Sequence, residues 1–101
     1  MKMLTIICRE SLEDEVIALL TTEHVEGYTV ISKVTGVGAT GAVPRLHSWA
    51  GLNTLLLAVV SDDQLSKVVA GLRSLHDQLV QDRRGHEVPL KLFIQPCEMV
   101  L

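Results

Sequence analysis

One segment restricts the folding of this chain more than any other. In Thr54–Val60 both alternating sets of side chains are apolar, Leu55, Leu57 and Val59 in one and Leu56, Ala58 and Val60 in the other. A strand shows one set to each side of its sheet, so such a run belongs to a central strand covered on both faces. Only 101 residues, the size of one domain (1–101), are available to supply both covers. Hydrophobic residues are 48% of the chain but aromatic ones only 3% (Tyr28, Trp49, Phe93), so the core is aliphatic and thin for that task. The longest apolar run, Leu55–Val60, is far shorter than the roughly 20 residues of a membrane-spanning helix, and Met1-Lys2-Met3 opens no signal-peptide pattern. A cytoplasmic protein with no transmembrane segment is therefore expected. A net charge of −3 lacks the basic footprint of a duplex binder, so nucleic acid is not an expected partner. Cys8 and Cys97 are too few and too far apart for a zinc framework or a disulfide scaffold, and both read as structural thiols.

The rest of the chain punctuates itself into elements. Residues 2–8 are β-rich and end at the polar cluster opened by Arg9, which makes them a first strand. Ser11 stands as an N-cap, Glu13, Asp14 and Glu15 suit a first helical turn, and Leu12, Val16, Leu19 and Leu20 share a face; a helix over about 12–25 with Gly27 as its stop is expected. A second strand, Tyr28–Thr35, alternates Tyr28, Val30, Ser32 and Val34 against Thr29, Ile31, Lys33 and Thr35, and reads as an edge. After strand three, Ser61 and Gln64 form a capping box. Leu65, Val68, Val69, Leu72, Leu75 and Leu79 then follow the helical period until Arg83, Arg84 and Gly85 close the helix. Pro89–Pro96 frames a last edge strand, with Leu90, Leu92 and Ile94 opposite Lys91, Phe93 and Gln95.

The order βαββαβ predicts an α+β fold of the ferredoxin-like type, a four-stranded antiparallel sheet with both helices on one face. Strands one and three are expected parallel at its centre, and Cys8 and Cys97 far apart and unbridged. One sheet face is then left bare. No remaining segment of the chain is long enough to cover it, so another copy of the chain is the expected cover.

The connection from Gly36 to Asn53 is far longer than a hairpin requires, and long connections in small domains are commonly functional. It holds the only Trp with Val43, Leu46 and Leu52, so ordering against a neighbouring subunit or partner is expected. Gly36, Gly38 and Gly41 spell G-x-G-x-x-G with Asp62 about 20 residues on, the spacing of a dinucleotide fingerprint. The context fails, because Pro44 and Gly51 interrupt any following helix and Asp62 already serves a helix N-terminus. Glycines at a strand end still let a phosphate approach the backbone. Arg45 and His47 form a candidate anion pair. His24, His47, His76 and His86 lack metal-ligand spacing, and no base stands beside a nucleophile, so no metal site within one subunit and no enzyme is expected. The small-residue loop of an acylphosphatase cradle is absent after Arg9.

Ile6-Ile7-Cys8-Arg9, Leu12-Glu13-Asp14-Glu15-Val16, Val25-Glu26-Gly27-Tyr28-Thr29-Val30 and Val34-Thr35-Gly36-Val37-Gly38 resemble the first half of PII signal-transduction proteins. Val59-Val60-Ser61-Asp62-Asp63 resembles their second half. The resemblance implies nitrogen-regulatory signalling by a homotrimer with inward-facing sheets and a nucleotide cleft containing Gly36 and Gly38. The departures are specific. The long loop has no modifiable tyrosine, Gln81-Asp82-Arg83-Arg84-Gly85-His86 is not the family's Gly/Lys-rich loop, and Glu98-Met99-Val100-Leu101 is not its basic C-terminal segment. Arg45, His47, Trp49, Gly51 and Asn53 look closer to short-loop PII-like proteins.

Two readings follow. In the first, a trimeric sensor binds a small anionic ligand, with an adenine nucleotide as the expected cofactor, between subunits through Gly36, Gly38, Thr40, Arg45, His47, Arg83 and Arg84. The 39–52 loop, with Trp49, Gly51 and Asn53, then engages a protein partner. In the second, the chain resembles the CutA trimer and takes part in divalent metal tolerance, with His47 or a cysteine as ligand.

Overall fold

The computed structural model describes residues 1–36, 52–83 and 88–101. Strand β1 (Lys2–Arg9) passes through a single 3-10 turn, Glu10–Leu12, into helix α1 (Glu13–Thr22); β2 (Tyr28–Thr35), β3 (Leu52–Val60), α2 (Asp62–Arg83) and β4 (Leu90–Pro96) follow. The strands make one antiparallel sheet in the order β2-β3-β1-β4, so the doubly apolar β3 is central and β2 and β4 are edges, as expected.

One strand relation differs from expectation. β1 runs antiparallel to β3, with Lys2 opposite Val60 and Arg9 opposite Asn53. Helix α1 carries the chain over the sheet and so makes β1 parallel to β2. The direct return from β2 then sends β3 back between them, antiparallel to both. The ends of the first helix also differ. Ser11 lies in the 3-10 turn and caps nothing, and α1 begins two residues beyond it with no side-chain cap. The helix stops at Thr22 through a Schellman closure, well before Gly27. His24 sits at φ 61, its N–H donates to Thr21 O at 3.0 Å, and Val25 N–H donates to Leu20 O at 2.9 Å. Buried Val25 and Leu20 accompany that closure. The Ser61–Gln64 capping box is present, with Gln64 N–H donating to Ser61 Oγ at 3.2 Å and Ser61 N–H to Gln64 Oε1 at 3.1 Å. Gln64 Nε2 also donates to His24 O at 2.9 Å, tying the start of α2 to the end of α1.

Residues opposite one another in an antiparallel pair point to the same face. Leu4, Ile6 and Cys8 of β1, Leu56, Ala58 and Val60 of β3 and Leu90 of β4 are buried on one face beneath Val16 and Leu20 of α1 and Val68 and Leu72 of α2. Each fully buried aliphatic side chain there contributes about 1.5–3 kcal/mol. Both helices therefore cover the same face. The other face carries Met3, Thr5, Ile7 and Arg9 of β1, Asn53, Leu55, Leu57 and Val59 of β3, and Lys91, Phe93 and Gln95 of β4. Among the described residues no helix lies over it. Phe93 is 55% exposed, Ile31 44% and Val59 38% on that side.

The alternation expected in β2 does not persist. Ile31 pairs with Leu55 but Val34 pairs with Asn53, so Ser32 and Lys33 together face one β3 residue in a bulge, with Lys33 at φ 57. The inserted residue moves Val34 to the helix-free face with Thr29 and Ile31. Cys8 and Cys97 are free and stand at opposite ends of the sheet, Cys8 opposite Leu90 and Cys97 just past Pro96, which pairs with Lys2.

Candidate functional site

The topology gathers the chemistry-bearing residues at one end of the sheet. β1 ends there at Arg9, α1 begins there at Glu13, β2 ends there before Gly36, β3 begins there at Leu52, and α2 arrives at Arg83. Asn53, expected in the connecting loop, belongs to β3 and pairs with both Arg9 and Val34. Leu52, the last residue of the expected 39–52 loop, is likewise in β3 and pairs with Thr35. A Cβ added at Gly36 would meet only Asn53 Nδ2, at an ordinary 3.5 Å. Packing among the described residues therefore does not demand a glycine at that position. Of the other expected site residues, Gly38, Thr40, Arg45, His47, Trp49, Gly51 and Arg84 lie outside the described residues. The structure thus brings Gly36, Asn53 and the α2 terminus at Arg83 to a common end.

Three further residues define this end; sequence reading gave Thr54 and Arg9 no role there, and touched Cys8 only through the alternative in which a cysteine is a metal ligand. Thr54 is 0% exposed, and its Oγ1 donates to Glu13 Oε2 at 3.0 Å. A hydroxyl among the otherwise apolar inward positions of β3 was the available signal. Cys8 lies opposite Thr54. Burial, and then the negative charge of Glu13, push its thiol up from 9.0 to about 11, so it remains protonated and unreactive at neutral pH. Arg9 donates its backbone N–H to Pro89 O at 3.0 Å, and its Nε is buried with no hydrogen-bond partner among the described residues.

Among the described residues, two depressions occur elsewhere. One, of about 570 Å³, is lined by Met1, Val59, Ser61, Asp62 and Met99 at the opposite end of the sheet, where the Met1 ammonium meets Asp62 Oδ1 at 3.3 Å. The other, of about 230 Å³, lies between α2 and β4. Neither includes the residues described above. Among the described residues no group of three or more His, Cys, Asp and Glu is placed to hold a metal ion, and no helix is long and apolar enough to cross a membrane.

The family model for nitrogen regulatory protein P-II matches residues 1–100. Among solved structures, CPII from Thiomonas intermedia K12, a nitrogen regulatory PII-like protein bound to ADP, AMP and bicarbonate, superposes with a TM-score of 0.73 at 18% identity, covering 93% of this chain and 82% of that one. The apo form of the same protein gives 0.66 at 17% identity over 93% and 85% of the two chains. A PII-like signaling protein from Thermus thermophilus gives 0.60 at 21% identity over 93% and 83%. The comparison with curated proteins gave no match.

Proposed function

The chain belongs to the family of P-II nitrogen regulatory proteins, and on that premise we propose that it is a homotrimeric sensor of a small anionic ligand, an adenine nucleotide, bound in clefts between subunits. The observation that carries this reading is the family match over residues 1–100, because it runs through the β2 end where packing among the described residues does not demand a glycine at Gly36. A glycine that the described packing does not require is suited to a close approach by a ligand. The helix-free apolar face supports assembly. Phe93, Ile31, Val59, Leu55 and Leu57 form a patch of a kind that monomers seldom leave in water. The CPII structures, described as bound to ADP with AMP and bicarbonate or with ADP and bicarbonate, support an adenine nucleotide as the ligand class.

In this reading Gly36, Gly38 and Thr40 lie along the phosphates, while Arg45, His47, Arg83 and Arg84 supply positive charge. The segment 39–52, with Trp49 and Gly51, carries the signal to a protein partner: ligand binding favours one arrangement of that segment, and the partner reads it. Calorimetric titration with ATP, ADP, AMP and cyclic AMP tests the reading. Saturable heat with at least one of them is expected. The absence of heat and of any thermal shift with all four would overturn it.

A further inference from the structure

We propose that Met1, Met3, Cys97 and Met99 form a site for a soft monovalent metal ion of the Cu(I) class, at the end of the sheet opposite Gly36.

The chain has three methionines and two cysteines. All of these sulfur-bearing residues except Cys8 belong to one corner of the fold. Met1-x-Met3 enters β1 and Cys97-x-Met99 leaves β4, and the two strands are antiparallel neighbours. Met3 stands opposite Gln95 and Lys2 opposite Pro96, so the next step of the register sets Met1 level with Cys97. Residues two apart along a strand share a side, and opposite Cβ atoms in such a pair lie only about 5 Å apart. Met1, Met3 and Cys97 thus continue the side of Gln95. Met99 closes the group: it lines the depression of about 570 Å³ together with Met1 and with Val59, the β3 residue opposite Met3. Cys8 is buried at the other end of the sheet.

Packing does not account for this gathering. Methionine ordinarily fills gaps in a core. Here none of the three is among the buried core residues, and Met1 is 47% and Met99 67% exposed. Cys97 is free and partly exposed. An ion arriving from solvent therefore meets sulfur that the core does not use.

The donors decide which ion. Thioethers and a thiolate are soft ligands and favour Cu(I) over hard cations. Among the described residues no group of three or more His, Cys, Asp and Glu is placed to hold a metal, so the donor set that suits Zn(II) is missing here. The charges agree with this choice. Binding releases the Cys97 thiol proton to solvent, the thiolate neutralises a singly charged ion, and the thioethers add no charge. The Met1 ammonium beside the site is already met by Asp62 Oδ1 at 3.3 Å. No electron moves: copper enters and stays as Cu(I). The site stands at the opposite end of the sheet from Gly36 and does not rest on the nucleotide reading.

The test uses the full chain, reduced and kept under nitrogen with ascorbate. Cu(I) is offered as its coloured bicinchoninate complex, so that loss of colour reads transfer to the protein. Silver nitrate in chloride-free buffer serves as the probe for methionine-methyl NMR. Transfer of a single ion per chain is expected, with movement of the methyl signals of Met1, Met3 and Met99. Cys97→Ser, and Met3→Leu with Met99→Leu, are each expected to weaken binding by more than the roughly tenfold that even an outer-shell change costs a metal site. Leu keeps about the volume of Met, so the double variant is expected to fold. Cys8→Ala is expected to bind as the unaltered protein does, and zinc sulfate to move none of the methyl signals.

No transfer to the unaltered protein would overturn the assignment. So would undiminished binding in the double methionine variant, since a lone thiol would then hold the ion. Binding lost in Cys8→Ala and kept in Cys97→Ser would overturn it too, as would methyl signals that answer zinc as they answer silver. Should Cys97→Ser fail to fold, the double methionine variant and Cys8→Ala carry the comparison.

Discussion

Thr54, buried in the central strand, donates its hydroxyl hydrogen to Glu13 at the start of α1 across 3.0 Å, joining two positions 41 residues apart. This bond fixes the first turn of α1 over the sheet end that carries Arg9 and Asn53. Replacing Glu13 with Ala leaves a buried hydroxyl without its acceptor and is expected to lower stability by about 1–3 kcal/mol. Thr54→Val removes the donor with little change of shape and is expected to lose only about 1 kcal/mol. Urea midpoints should move by the corresponding amounts at unchanged slope. Equal and negligible effects would show that the bond does not hold the helix.

Cys8 gives a signature at alkaline pH. Its thiol is held up at about 11 in the folded chain by burial and the nearby Glu13 charge, against 9.0 for an ordinary thiol. Between those values the folded state keeps a proton that the unfolded state has released, so stability contributed by this group is complete below pH 9 and declines as pH rises toward 11. Cys8→Ala is expected to flatten that decline. Iodoacetamide at pH 8 is expected to label Cys97, which is partly exposed, and to spare Cys8 until the chain unfolds. Mass spectrometry of the native and denatured protein checks both residues.

Two glycines should respond in opposite ways. A Cβ at Gly71 of α2 would lie 2.8 Å from Leu19 Cδ1 and 3.2 Å from Leu19 Cγ, whereas at Gly36 it meets a single atom at 3.5 Å. Gly71→Val is expected to lower stability by about 1–3 kcal/mol, and Leu19→Ala in the same chain to recover part of that loss. Gly36→Ala is expected to leave the unfolding midpoint nearly unchanged while weakening ADP binding tenfold or more, read by calorimetry.

The bulge in β2 places Lys33 in the left-handed region at φ 57. Lys33→Gly is expected to raise stability by up to about 1 kcal/mol, and Lys33→Val to lower it by more. Thermal melts of the two variants separate these outcomes.

That bulge also shows where sequence reading reaches its limit. Element identity was legible because it is written locally. The period of Leu65, Val68, Leu72 and Leu79 marks α2, the Ser61–Gln64 box starts it, and the two apolar sets of Leu55–Val60 mark a central strand. The face reached by Val34 was not legible, since an inserted residue shows only against the partner strand. His24 ends α1 through backbone bonds to Thr21 and Leu20, where the composition pointed to Gly27. At the candidate site Gly36 could be named from its motif, but Arg9 reads as an ordinary polar residue after a strand. Its buried Nε, without a hydrogen-bond partner among the described residues, emerges only once β1 is set between β3 and β4.

Burial of the helix-free sheet face between copies of the chain is what the proposed assembly requires. Multi-angle light scattering during size exclusion tests it most directly, on the unaltered protein and on Leu57→Arg, which sets a charge in the middle of that face. A mass near three times the 11.1 kDa chain is expected for the former and a fall toward a single chain for the latter. An unaltered protein that runs as a stable 11.1 kDa monomer would contradict it.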